Sequence, residues 1–267
     1  MTLGESIHYF SKTMKKIIAN TIAVILAGGK GKRMNSKLPK VLHKIAGKPL
    51  ISHVISTAKS LGIKRIIVVI GYKGELVKKA LAKDKVEIVW QKKQLGTGHA
   101  LMQTQKLLKN FSDTILVLCG DVPFLSTESI IHLLQEHINK KAQATVLTTV
   151  VKDASGYGRI VRNKPNLVEK IVEDKEASKA EKKIREINTG TFCFAAKGFF
   201  GLLKQIKADN KSKEYYLTDV VKLLNQKGKK VAAVKSLTKW EALGINSSGQ
   251  LKELEKIWTN KPKRPNV

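Results

Sequence analysis

Acidic residues, cysteines, aromatics and long apolar runs are all scarce in this chain, and each shortage removes a class of protein. The 267 residues include 2 cysteines, Cys119 and Cys193, each inside an apolar, strand-like run. That is too few for a disulfide framework, and the pattern reads as two buried thiols in a reducing, cytoplasmic setting. No stretch approaches the roughly 18 to 20 continuous apolar residues of a membrane span. Ile17-Ile18-Ala19, after Lys15-Lys16, is too short for the core of a secretion signal. Residues 1–20 read as a partly disordered extension, with Met14-Lys-Lys-Ile-Ile resembling a natural start.

Asp and Glu total 21 against 50 Lys and Arg, a formal net charge of +29. Such a balance raises nucleic-acid binding at once. Against it, the lysines are spread from Lys12 to Lys263, aromatics make up only 6% of the chain, and no nucleic-acid module is recognisable. The excess is read as compositional bias of exposed surface, and a positive field of this size speeds capture of phosphorylated molecules at low salt.

What is present is the make-up of a soluble globular protein, 42% apolar and 27% charged, long enough for one large domain or two. The short apolar run Ile22–Ala27 predicts a buried strand. It breaks into Gly28, Gly29 and Gly31 and then delivers Lys30, Lys32, Arg33, Lys37 and Lys40. A glycine-rich turn can aim several N–H groups into one concavity, and cations on both sides suit a polyphosphate. An ordinary tight turn is the competing reading, because the spacing is neither the dinucleotide pattern nor the Walker A pattern.

Alternation continues downstream. Leu50–Leu61 has helical spacing with Gly62 as its stop, Arg65–Ile70 is a second apolar strand, Glu75–Ala82 a helix and Val86–Trp90 a third strand. Continuous apolar strands alternating with helices predict a parallel sheet covered on both faces, with ligands at the carboxyl ends of the strands. The third strand leads into Gln91-Lys-Lys-Gln-Leu-Gly-Thr-Gly-His-Ala100. Its amides match the edge of a uracil, which needs a donor and an acceptor together. The same glycines also suit a loop capping a helix over Ala100–Leu108. The strand Thr114–Cys119 ends in Gly120-Asp121, where the carboxylate is either a hard ligand for Mg2+ or a turn residue. After a helix at Ser129–Ile138 and a strand at Ala144–Val151, the runs around Gly156–Arg162, Leu167–Glu173 and Glu186–Phe194 predict an antiparallel excursion. Glu214–Asp219 is expected to start a helix through Leu224, before a strand at Val231–Val234 and a last helix at Leu251–Trp258.

Five strings carry a resemblance: Leu26-Ala-Gly-Gly-Lys-Gly-Lys-Arg-Met34, Leu38-Pro-Lys-Val-Leu-His43 with Ala46-Gly-Lys-Pro49, Gln94-Leu-Gly-Thr-Gly-His-Ala100, Gly120-Asp-Val-Pro123 and Glu214-Tyr-Tyr-Leu-Thr-Asp219. Together, over about residues 21–258, they resemble the sugar-nucleotide pyrophosphorylases, and within these the uridylyltransferase part of bacterial N-acetylglucosamine-1-phosphate uridylyltransferases. The resemblance implies a Rossmann-like α/β fold with a mixed, mostly parallel sheet. It implies a nucleotide-binding part over 21–150 and a small antiparallel sugar-binding part over 151–258, followed by a basic tail at 259–267. It implies that UTP and N-acetylglucosamine 1-phosphate give UDP-N-acetylglucosamine and pyrophosphate. In that reaction Arg33 and Lys40 would be catalytic. Leu26, Ala27, Gly28, Gly29, Gln91, Gly96 and Thr97 would bind the nucleotide. Gly120, Gly158, Glu173 and Asn188 would bind the sugar, and Asp121 and Asn246 would hold Mg2+.

Three departures stand beside the matches. Ser247-Ser248-Gly249 follows Asn246 where relatives carry an Arg, Lys32 stands where Thr is common, and no hexapeptide period of an acetyl-transferring β-helix is visible. Acetyl transfer is therefore not expected. The rival readings are transfer to another sugar 1-phosphate, and a non-catalytic sugar-nucleotide or nucleic-acid-associated protein; no membrane partner is expected and oligomeric state is not readable.

Overall fold

The computed structural model describes residues 12–164, 167–241, 243–245 and 247–259, with Lys32 described in its backbone alone. Expectations for residues 1–11, the tail beyond Thr259 and Asn246 lie outside these. A helix at residues 12–19, α1, leads into β1 (Thr21–Ala27). Next come the short hairpin β2 (Lys44–Ile45) and β3 (Lys48–Pro49), then α2 (Leu50–Ser60), β4 (Arg65–Ile70), α3 (Gly74–Ala80), β5 (Glu87–Trp90), α4 (Thr97–Met102), β6 (Thr114–Cys119) and α5 (Thr127–Asn139). The chain continues through β7 (Ala144–Val150), β8 (Arg159–Lys164), β9 (Leu167–Val172), β10 (Glu186–Ala195), α6 (Phe199–Leu203), α7 (Asp219–Gln226), β11 (Val231–Lys235) and α8 (Ser248–Thr259).

Nine strands form one sheet in the order β5-β4-β1-β6-β10-β7-β11-β9-β8. The pairs β5–β4, β4–β1, β1–β6 and β7–β11 are parallel, whereas β10 runs against both β6 and β7. The expected antiparallel excursion is present as the β8–β9 hairpin and β10, and it joins the main sheet rather than standing apart: β9 pairs with β11, and β8 touches β10. The 21–150 and 151–258 parts therefore share one sheet.

Alternation along β1 explains the two layers. Ala23, Ile25 and Ala27 face a core built with Ile51, Val54 and Ile55 of α2 and Ile130, Leu133 and Leu134 of α5. Ile22 and Val24 face the opposite core, with Leu101 of α4, Leu203 of α6 and Val220 and Leu224 of α7. Side chains on a strand alternate faces, so a strand buried on both sides must be apolar throughout, as the sequence of β1 is. A third cluster, Met34, Ile45, Leu50, Phe124, Ile245 and Leu254, ties α8 under the loop that follows β1; Trp258 stacks on Phe124 with ring centroids 5.1 Å apart.

Two helices differ from their sequence pattern. The helix expected over Ala100–Leu108 spans Thr97–Met102, with Gly96 at φ +103° before it, and continues only as turns. Thr104, fully buried, donates its hydroxyl to the Leu101 carbonyl at 2.8 Å and so competes with the next helical bond. The helix expected from Glu214 begins at Asp219, because the backbone of Tyr215 is already paired: its N–H donates to Leu95 O and its carbonyl accepts from Gly98 N–H, both at 2.8 Å. By contrast α5 is capped twice. Ser126 Oγ accepts from Ser129 N at 3.1 Å, and the buried Glu241 carboxylate accepts from Ser126 N and Ser129 Oγ at 3.0 Å each.

Candidate active site

The carboxyl ends of β1, β4, β5 and β6 lie at one edge, where Gly28, Gly71, Gln91 and Gly120 follow them in the chain. Backbone bonds knit the edge together: Tyr72 N–H donates to Gly28 O at 3.0 Å, Gln91 N–H to Ile70 O at 2.8 Å and Gly120 N–H to Leu26 O at 3.0 Å. Leu26 and Ala27 are thus strand residues at the rim, Gly28 is buried and Gly29 exposed. Gly31, at φ +58°, lets the turn fold over the Lys40 side chain; a β-carbon there would lie 2.7 Å from Lys40 Cβ. The N–H groups of Gly29, Lys30 and Gly31 donate to no described residue, the condition under which a glycine turn offers them to an anion.

Lys40 Nζ pairs with Asp121 Oδ2, with side-chain exposures of 18% and 16%. Arg33, exposed on the 3-10 turn Lys32–Met34, extends toward Gly156, its Nη1 3.2 Å from where a β-carbon on that glycine would sit. Tyr157, next in the chain, joins them and was not singled out from the sequence. Burial is the main cause that raises its hydroxyl pKa, with Asp121 adding to the rise and Arg33 opposing it. An aromatic held between two glycines, Gly156 and Gly158, was the signal available for it. Asp121 neither makes an Asx turn nor caps α5, a role Ser126 takes. Its carbonyl accepts from Ile245 N at 3.0 Å, so the segment leading to Asn246 runs alongside. No cluster of three or more His, Cys, Asp or Glu able to hold a metal occurs among the described residues. One carboxylate, 16% exposed beside a glycine turn with open N–H groups, nevertheless fits Mg2+, which is commonly held by one or two carboxylates plus substrate phosphates.

The loop after β5 carries the expected base-recognition residues. Gln91 is 4% exposed, and its Nε2 donates to Gly96 O at 2.9 Å and meets His99 Nδ1 at 3.1 Å. Gly96 packs so tightly on the 214–217 segment that a β-carbon would lie 2.6 Å from Tyr215 O. Thr97 Oγ1 accepts from Leu217 N at 3.1 Å, so the hydroxyl's first task is to dock this loop. The string Glu214–Asp219 is therefore the clamp behind the loop.

Gly158, Glu173 and Asn188 also come together. A β-carbon on Gly158 would lie 3.5 Å from Glu173 Oε1 and 3.6 Å from Asn188 Cβ, and Asn188 N–H donates to Gly158 O at 2.8 Å. Glu173 is half-buried; desolvation is the chief cause that raises its carboxyl pKa, eased by a 3.0 Å hydrogen bond from Thr218 Oγ1. Asn188 Oδ1 accepts from Gly190 N at 2.9 Å, which leaves its amide nitrogen for a ligand. Gly190, at φ +79°, sits over Cys119 Sγ, and Gly120 sits against Leu26 O and Val41. Both cysteines are free thiols, and burial pushes that of Cys119 up to about 12. A cavity of about 800 Å³ lies elsewhere, between α2, Pro123–Thr127 and α8, and none of the site residues named above lines it.

A mixed sheet with a glycine turn, a cation–carboxylate pair and amide-bearing loops at one edge defines a nucleotide-handling α/β protein. The chain belongs to the nucleotidyl transferase family, whose sequence profile matches residues 22–251; it is a nucleotidyltransferase. It is 45% identical over 240 residues to the bifunctional protein GlmU of Halalkalibacterium halodurans, covering 90% of this chain and 52% of that one. The corresponding GlmU of Bacillus cereus strain G9842 is 44% identical over 250 residues, covering 94% and 54%. The chain thus spans about half the length of these curated relatives. A crystal structure of UDP-glucose pyrophosphorylase complexed with UDP-glucose superposes with a TM-score of 0.72 at 19% identity, covering 91% of this chain and 99% of that one, a likeness of fold. Among the described residues no helix is long and apolar enough to cross a membrane.

Proposed function

We propose that this chain is a uridylyltransferase that joins UTP to N-acetylglucosamine 1-phosphate, forming UDP-N-acetylglucosamine and pyrophosphate. The observation that carries this reading is the Lys40–Asp121 ion pair under the glycine turn, with Arg33 and Asp121 both near enough to Tyr157 to act on its hydroxyl. The base-side loop of Gln91 lies on the same sheet edge, and the cluster of Gly158, Glu173 and Asn188 begins two residues beyond Gly156, which Arg33 approaches. Similarity to the GlmU proteins supports the choice of reaction.

A phosphate oxygen of the sugar phosphate attacks the α-phosphorus of UTP. The new P–O bond forms as the bond to the β-phosphate bridging oxygen breaks, and pyrophosphate leaves with the electron pair. No general base is required, because the attacking phosphate is already ionised near neutrality. The work of the protein is positioning and charge neutralisation. Arg33 and Lys40 hold the triphosphate and balance the charge that grows on the leaving group. Gln91 and the backbone around Gly96 hold the base, while Glu173 and the Asn188 amide accept from and donate to the sugar. Asp121 would hold Mg2+, with Asn246 as its second ligand. When bound, that ion would screen the phosphates of both substrates from one another.

With UTP labelled at the α-phosphorus, the label is expected in a UDP-sugar and not in free pyrophosphate. Label accumulating in UMP, with no sugar nucleotide formed, would sink the transfer reading.

A further inference from the structure

Gln91 carries an amide whose orientation decides what it can recognise, and its neighbours fix that orientation. The group facing its side-chain nitrogen at 2.9 Å is the Gly96 carbonyl, which can only accept. The second Nε2 hydrogen faces His99 Nδ1 at 3.1 Å. Among the described residues Gln91 Oε1 takes no hydrogen bond, and it lies where a β-carbon on Gly28 would be 2.7 Å away, at the entry of the glycine turn. An amide held this way shows the turn an acceptor and no donor.

The Gln91 contact uses a neutral His99 with its proton on Nε2; the Gln103 amide nitrogen faces Nε2, so the ring accepts from one of the two glutamines at a time. Burial lowers its pKa, against a smaller opposing pull from the Lys93 carbonyl. The ring is itself held: Gln103 Nε2 donates to the His99 carbonyl at 2.9 Å and lies 3.2 Å from Nε2, while the Tyr215 ring packs at 6.1 Å. Uracil offers an N3–H donor to such an acceptor; cytosine offers a lone pair at N3 and an amino group at C4. An amide free to rotate would serve the N3 position of both bases, and one locked with its oxygen toward N3 serves only that of uracil.

We propose that His99 is a positioning residue that locks the Gln91 carboxamide with its oxygen toward the glycine turn and thereby makes the pocket select uracil over cytosine. This rests on the reading that the Gln91 loop takes the nucleotide base. The test compares kcat/KM for UTP and for CTP in the wild-type chain, His99→Leu and His99→Asn. Asn places a side-chain oxygen where Nδ1 lies and keeps the acceptor; Leu does not.

The wild-type chain is expected to prefer UTP, and His99→Leu to lower that preference by about 10- to 100-fold, with the KM for the sugar phosphate unchanged. His99→Asn is expected to restore the preference to within about threefold of wild type. A ratio taken within one preparation is independent of its folded fraction. Where His99→Leu gives no soluble protein, His99→Gln, whose oxygen lies one bond further out, takes its place with the same expectation. An unchanged ratio in His99→Leu or His99→Gln, with wild-type selectivity intact, overturns the role of His99 and leaves the base-binding reading standing. No turnover of either nucleotide by the wild-type chain overturns both.

Discussion

The Lys40 ammonium is ion-paired to the Asp121 carboxylate across 81 residues of sequence, and the pair joins the turn after β1 to the end of β6. Each charge is mostly withdrawn from water, so each needs the other until substrates arrive. On the proposed reading, a triphosphate would offer Lys40 several oxygens in place of one and leave Asp121 open to hold Mg2+. Lys40→Ala is therefore expected to lower kcat by about 100-fold, on the scale of losing one charge stabiliser. Asp121→Asn is expected to do the same and also to flatten the dependence of rate on Mg2+ concentration. Rates measured across a Mg2+ titration check both; near-wild-type turnover in either variant withdraws its assignment.

The base-side loop depends on a glycine for a separate reason. Gly96 has φ +103° and ψ 174°, a conformation close to exclusive to glycine, and any β-carbon there collides with Tyr215 O. Gly96→Ala is expected to destabilise the fold by about 2 kcal/mol or more and to raise the KM for UTP. Urea unfolding together with initial rates reads both; a stable variant with an unchanged KM would contradict the docking of this loop on the 214–217 segment.

Glu173 is expected to trade stability for binding. Its folded pKa is raised, chiefly by burial, so its contribution to stability is complete below the ordinary carboxyl range and is lost as pH rises through the folded value. Glu173→Gln keeps an oxygen for the Thr218 hydroxyl and removes the titration. Its thermal midpoint should exceed that of wild type by an amount that grows as pH rises above the ordinary carboxyl range, while its KM for the sugar phosphate rises by about tenfold. A midpoint difference independent of pH would remove the buried-carboxyl account.

Glu241 offers a purely structural counterpart. Its carboxylate is 1% exposed and accepts from Ser126 N, Ser129 Oγ and Thr238 N, the last at 2.7 Å. Glu241→Ala leaves these donors without an acceptor and is expected to cost about 3 kcal/mol. Chemical denaturation checks it, and a loss below the error of the measurement would contradict the bonding described.

The sequence made some of this legible for identifiable reasons. β1, β4 and β6 are buried on both faces, so their apolar runs announced themselves, and Gly28-Gly29 marked where the chain leaves the sheet. Short-range patterns failed where distant segments decide. The 214–217 segment reads as helix, yet the Leu95–Gly98 backbone claims Tyr215 first. Lys40 and Asp121 were each chosen for a ligand, one for phosphate and one for metal; that they are partners of each other depends on β1 and β6 lying side by side. Tyr157 carries no distinctive spacing, and only the proximity of Arg33 and Asp121 in the fold gives it meaning.

The most direct test of the whole account is pyrophosphate release from UTP and N-acetylglucosamine 1-phosphate, measured with Mg2+ and then with EDTA, and repeated with glucose 1-phosphate. The account predicts metal-dependent release with the first sugar phosphate and little with the second. Absence of release under every condition, with UDP-N-acetylglucosamine still bound, would contradict it and make this chain a binder of sugar nucleotides instead.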